Sequence, residues 1–153
     1  MQEEVFNTLR ARRPQLRQHW ETLLRTERAS SPLANPEALI FMMDWTFDRV
    51  FEAMRMTTAK LHTASPRPEC TCGLNPLLVY FATMEQVLIE GLILAQVEVT
   101  HRPAHRHEAD LAHLKLAIEY VASREIGAFC AVCQHKQVPE SAHHHHHSAA
   151  SAR

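Results

Sequence analysis

Residues 75–104 read NPLLVYFATMEQVLIEGLILAQVEVTHRPA, and the fold turns on how this stretch divides. Asn75 followed by Pro76 is a helix-start signal: the asparagine side chain can accept from an open first-turn amide, and proline suits the first helical position. Leu77, Phe81, Met84, Leu88, Leu92, Ala95 and Val99 then recur at steps of four, three, four, four, three and four, which is the stripe of an α-helix. Tyr80, Val87 and Leu94 add a second apolar side, so this helix is expected deep in the core. Arg102-Pro103-Ala104 is a short break. After it, Leu111, Leu114, Ile118, Val121, Ile126 and Phe129 mark a further helix that ends before Pro139. So short a link leaves the two helices antiparallel.

Working outward from this hairpin, two more helical segments precede it. Val5, Phe6, Leu9, Leu16, Trp20, Leu23 and Leu24 predict a helix from about Glu3 to Arg28, kinked or split at Pro14, whose ring suits only a first turn. Asn35-Pro36 repeats the start signal. Leu39, Ile40, Met43, Phe47, Val50, Phe51 and Met54 follow, in a helix expected to stop near Leu61 before the turn-rich HTASPRPE. The reading is therefore an all-α chain, an up-down four-helix bundle. It forms one domain over 1–138, with a disordered His-rich tail over 139–153.

All four cysteines fall in two tight pairs, CTC at 70–72 and CAVC at 130–133. Folding the hairpin about residue 102 or 103 sets residue 75 level with about residue 130, since both arms rise by about 1.5 Å per residue. Cys70 and Cys72, just before one helix, are thus expected to meet Cys130 and Cys133 on the last turns of the other. Residues three apart on a helix share a face, and Gly73 permits the backbone to turn beneath the first pair. Four converging thiolates make a closed tetrahedral site of the structural zinc kind, with His135 a substitute ligand or outer partner. An iron–sulfur cluster suits the same four cysteines less well. A redox CxxC normally draws on a helix N-terminus, whereas Cys130 and Cys133 lie near a C-terminus. Haem attachment is excluded, because Gln134 separates Cys133 from His135.

A second group of ligand types surrounds the hairpin tip: Glu98-x-x-His101, Asp110-x-x-His113, His105 and His107. Carboxylate-x-x-histidine on two helices is the pattern of di-metal bundles, which also needs a lone carboxylate from each remaining helix. Glu21 and Asp44 are the nominees. Solvated histidines around a turn are the preferred reading. The five histidines at 143–147 will bind metal whatever the fold does.

Lysine plus arginine number 16 against 17 for aspartate plus glutamate, a formal charge of −1. That balance gives no general pull toward nucleic acid or an anionic membrane. Glu85, Gln86, Glu90, Gln96 and Glu98 make 77–99 a poor membrane span, and MQEEVF has no apolar signal region. A soluble, cytoplasmic protein is expected, in which paired cysteines more often hold metal or do redox work than form structural disulfides. No glycine-rich phosphate loop, GxSxG or HExxH occurs. Arg10, Arg13 and Arg17 read as a solvated helix face. Asp44, Glu85 and Glu90 are candidate pocket groups that more often pair with arginine at a bundle boundary. Gly91 is expected to permit close helix approach.

LRQHWETLLRTE (16–27) and NPEALIFMMDWTFDRVF (35–51) together resemble the amino-terminal helical sensor domains of RsbR-type stress-response regulators, through Leu16, Trp20 and Leu23 or Leu24. The resemblance covers about the first 60 residues and implies a non-enzymatic domain that senses or transmits a signal and associates with partners. A protein partner, or a second copy of this chain, is the expectation. The cysteine pairs depart from that pattern. The resulting expectation is a zinc-binding helical module with a regulatory or protein-interaction role. A thiol-based redox or metal sensor comes second, and a small metalloenzyme built on Glu98, His101, Asp110 and His113 third.

Overall fold

A computed structural model describes residues 1–26, 35–63, 70, 73–99 and 104–133, with side chains from Arg106 onward in the last span. All regular structure among them is helical. The expected four segments resolve into six helices: α1 (Glu3–Ala11), α2 (Arg13–Thr26), α3 (Pro36–Met54), α4 (Thr58–Leu61), α5 (Leu77–Glu98) and α6 (Ala104–Val132).

The first expected helix is split, as Pro14 demands. Arg12 closes α1, its amide donating to the Leu9 carbonyl at 3.1 Å. Pro14 then occupies the first turn of α2, where its missing amide has no helical partner to lose. Asn35 caps α3 as expected, accepting from the Glu37 amide at 3.1 Å, with Pro36 as first residue.

The expected run to Leu61 is corrected: α3 ends at Met54. The Arg55 and Met56 amides tighten onto Glu52 and Ala53, and Thr57 then caps the one-turn α4 by accepting from the Lys60 amide. A threonine hydroxyl competes with the backbone for such donors, which is why the chain restarts here. Leu61 still reaches the core, so the apolar pattern continued while the helix did not.

The antiparallel pairing of α5 and α6 is fixed at both ends. Near the tip, Gln96 Nε2 donates to the His107 carbonyl at 3.2 Å; at the far end, Asn75 Nδ2 donates to the Ile126 carbonyl at 3.3 Å. The link at 100–103 lies outside the described residues, as does the tail at 139–153. Helix α5 packs on α1, α2 and α6, and α3 packs on α2 and α6. Leu77, Tyr80, Phe81, Met84, Val87, Leu88, Leu92 and Ala95 of α5 are all buried. By length and composition α5 is apolar enough to cross a membrane, but half of its most apolar stretch is enclosed by the protein. Leu94 corrects the expectation: it is 52% exposed, beside exposed Ile93 and Val97, on a side of α5 that no described helix covers.

Two details hold the layers in register. Trp20 of α2 packs edge-on to Phe47 of α3 at 5.4 Å and against Tyr80 of α5 at 4.5 Å, and its indole N–H donates to Thr83 Oγ1 at 3.0 Å. Tyr80 shares a 2.8 Å hydrogen bond with Thr46 of α3. These aromatic contacts add to area burial, and the buried polar tips are satisfied. Gly91 does permit close approach: a Cβ there would stand 2.6 Å from Leu16 Cδ2 and 3.1 Å from Leu9 Cδ1.

Candidate metal centre

Cys130 lies in the last turn of α6, partly buried against the core. The start of α5 reaches it. Asn75, 2% exposed, accepts from the Leu77 amide through Oδ1 at 3.0 Å and donates through Nδ2 to the Ile126 carbonyl and to Cys130 Sγ, both at 3.3 Å. The expected levelling of residue 75 with residue 130 is thus realised as a direct contact. Cys70 lies five residues before Asn75 in the chain. Its carbonyl accepts from the Gly73 amide at 3.0 Å, and Gly73 takes a φ of +66°. A side chain would be strained in that left-handed conformation. Cys70, Cys130 and Cys133 are all partly buried.

Two expectations change here. Cys133 is the first residue beyond α6 and not part of its last turn. Among the described residues no three side chains of cysteine, histidine, aspartate or glutamate stand together as a metal-holding group. Cys72 and His135 lie outside the described residues.

The group at the hairpin tip is dispersed. Glu98 pairs with Arg12. Asp110, 4% exposed, lies 3.9 Å from the Met1 amine. His113 Nε2 is 2.8 Å from the Met54 carbonyl, and because a carbonyl only accepts, that nitrogen carries the hydrogen. His107 is partly buried, with its Nε2 lacking a hydrogen-bond partner. His101 and the His105 side chain lie outside the described residues. The nominated carboxylates point elsewhere: Glu21 meets Arg17 and Arg25, and Asp44 meets Arg13 and Arg17.

Those last contacts also revise the arginine stripe. Arg13 bridges Asp48 and Asp44 of α3, Arg17 reaches Asp44 Oδ2 at 3.1 Å, and Arg25 reaches Glu37 at 2.7 Å. What reads as a solvated face in one helix is, for Arg13 and Arg17, a set of ion pairs between α2 and α3, a row that Arg25 continues. Asp44 is a boundary residue paired with arginine, as the preferred reading had it. Glu90 likewise meets His19 at 3.4 Å and accepts from Gln86 at 3.1 Å.

Compared with family models, curated proteins and solved structures, the chain gives no match. The likeness of the first 60 residues to RsbR-type sensor domains therefore remains a resemblance of pattern and assigns no function. The residue that sequence reasoning placed correctly but understood only in part is Asn75. Its cap role is legible in Asn-Pro; its hold on a sulfur 55 positions away has no local signal.

Proposed function

We propose that this chain is a non-enzymatic zinc-binding helical module, with a regulatory or protein-interaction role, in which Cys70, Cys72, Cys130 and Cys133 hold the ion at one end of a helical bundle. The observation that supports the reading is the Asn75–Cys130 contact at 3.3 Å. It sets the segment that follows one cysteine pair against the sulfur of the other. The bundle is read as four columns, α1 with α2, then α3, α5 and α6, with the ion tying the entry of α5 to the exit of α6. A cytoplasmic, reducing setting keeps the thiols available to metal.

The test uses protein lacking the polyhistidine run. Wild type should carry one zinc per chain, and Cys70→Ser and Cys133→Ser should each lose it. Serine is nearly isosteric with cysteine, so packing barely changes and the loss in thermal midpoint should follow the metal. The double variant should then be hardly worse than either single one, because both delete the same site. Strictly additive losses, or full zinc retention in both singles, would show that the pairs share no metal.

A further inference from the structure

We infer that the outer side of α5 is a self-association surface, on which a second copy of this chain packs across a two-fold axis at Ile93. This gives the interaction role proposed above a place in the fold, and it needs no metal. Ile89, Ile93 and Val97 are β-branched and stand four residues apart, so they form one row along α5. Ile93 is 51% exposed and Val97 70%; exposed Leu94 widens the patch, and half-buried Ile89 completes it toward the core. A helix apolar on every side is ordinarily enclosed. Here α1, α2 and α6 enclose only part of α5.

The rest of the chain offers little to cover this row. The segments outside the described residues hold two large aliphatic side chains, Leu33 and Val138. A second copy fits for two reasons. In a two-fold contact one patch must match itself, and a row centred on Ile93 does so. Ile93 meets Ile93 of the second copy, and Ile89 meets Val97. Rows of step four that interleave cross at about −50°, the commonest packing of helices, so contact concentrates on these residues and Leu94. The charges beside the row also permit approach. Glu90 lies 3.4 Å from His19 and accepts from Gln86, and Glu98 pairs with Arg12. These carboxylates are engaged within their own subunit, and their sign disfavours an anionic bilayer. So short a row falls well below the about 800 Å² per partner of a standard interface. Association is therefore reversible and concentration-dependent.

The full chain is followed by sedimentation equilibrium from about 1 μM to about 1 mM, the range of weak association. A chelator is present, so that the histidine run at 143–147 bridges nothing. Wild type is expected to pass from monomer to dimer. Ile93→Glu and Ile93→Lys should each weaken dimerisation at least about 30-fold, as loss of a central anchor does. Helical circular dichroism should be retained, because the position is half-exposed. An equal mixture of the two variants should dimerise again, since at a two-fold axis the glutamate of one copy meets the lysine of the other. Should either variant fail to fold, Val97→Glu, at the more exposed position, supplies the loss of dimer. Wild type that stays monomeric throughout overturns the inference. So does a dimer indifferent to Ile93→Glu, a mixture that stays monomeric, or an equal loss from Phe41→Glu on the exposed side of α3. Monomeric wild type that adsorbs to phosphatidylcholine vesicles assigns the face to lipid and overturns it as well.

Discussion

Tyr80 shows how much one buried polar atom can reveal. Its hydroxyl meets Thr46 and its ring meets Trp20 and Phe81. Burial pushes the phenol well above its ordinary value near 10, the bond to Thr46 opposes this, and the charge of Asp44 adds to the rise. A phenol held protonated in the fold contributes stability that is whole below pH 10. It is lost as pH climbs toward the folded value, because the unfolded chain has then released the proton. Tyr80→Phe should cost about 0.5–1.5 kcal/mol at neutral pH, since Thr46 retains its bond to the Met42 carbonyl. Above about pH 10 the variant should lose stability less steeply than wild type. Urea midpoints at pH 8 and pH 10.5 test this, and parallel declines would refute it.

Among the elements, α5 carries the most and leaves the least slack. It touches α1, α2 and α6, and at Gly91 the neighbouring leucines pack onto bare backbone. Gly91→Val should therefore cost about 1–3 kcal/mol through overpacking, even though a helix interior ordinarily gains when glycine is replaced. The matched control is Ala82→Val on the exposed side of the same helix, where only helix propensity changes, by well under about 1 kcal/mol. Equal losses for the two in chemical denaturation would mean that the contact with Leu16 is slack. The pairing of α5 with α6 was legible in advance because capping and breaking are local acts. Asn-Pro starts one arm, the break near Pro103 ends it, and equal rise per residue does the rest. The stop of α3 at Met54 was not legible, because the apolar pattern runs on to Leu61. Periodicity reports which residues face the core, not whether the backbone between them is continuous.

For the molecule as a whole, a metal that binds the folded chain alone adds stability by mass action, about 2.7 kcal/mol at a free concentration 100 times its dissociation constant. Tail-deleted protein should accordingly melt higher with zinc than after chelation, and Cys133→Ser should melt at one temperature in both conditions. An equal zinc response in the serine variant would assign the effect to another site. The all-helical class, the split at Pro14, the caps at Asn35 and Asn75 and the register of the hairpin were set by sequence alone, because each depends on sterics and amide satisfaction within a few residues. Tertiary structure decided the rest. It turned Arg13, Arg17 and Arg25 into ion pairs with α3, left Leu94 outside and sent His113 to the Met54 carbonyl. It also directed the second hydrogen of Asn75 to the sulfur of Cys130. A polar atom takes whichever partner packing brings within about 3 Å, and that partner is set by chains of contacts too distant in sequence for any local pattern to encode.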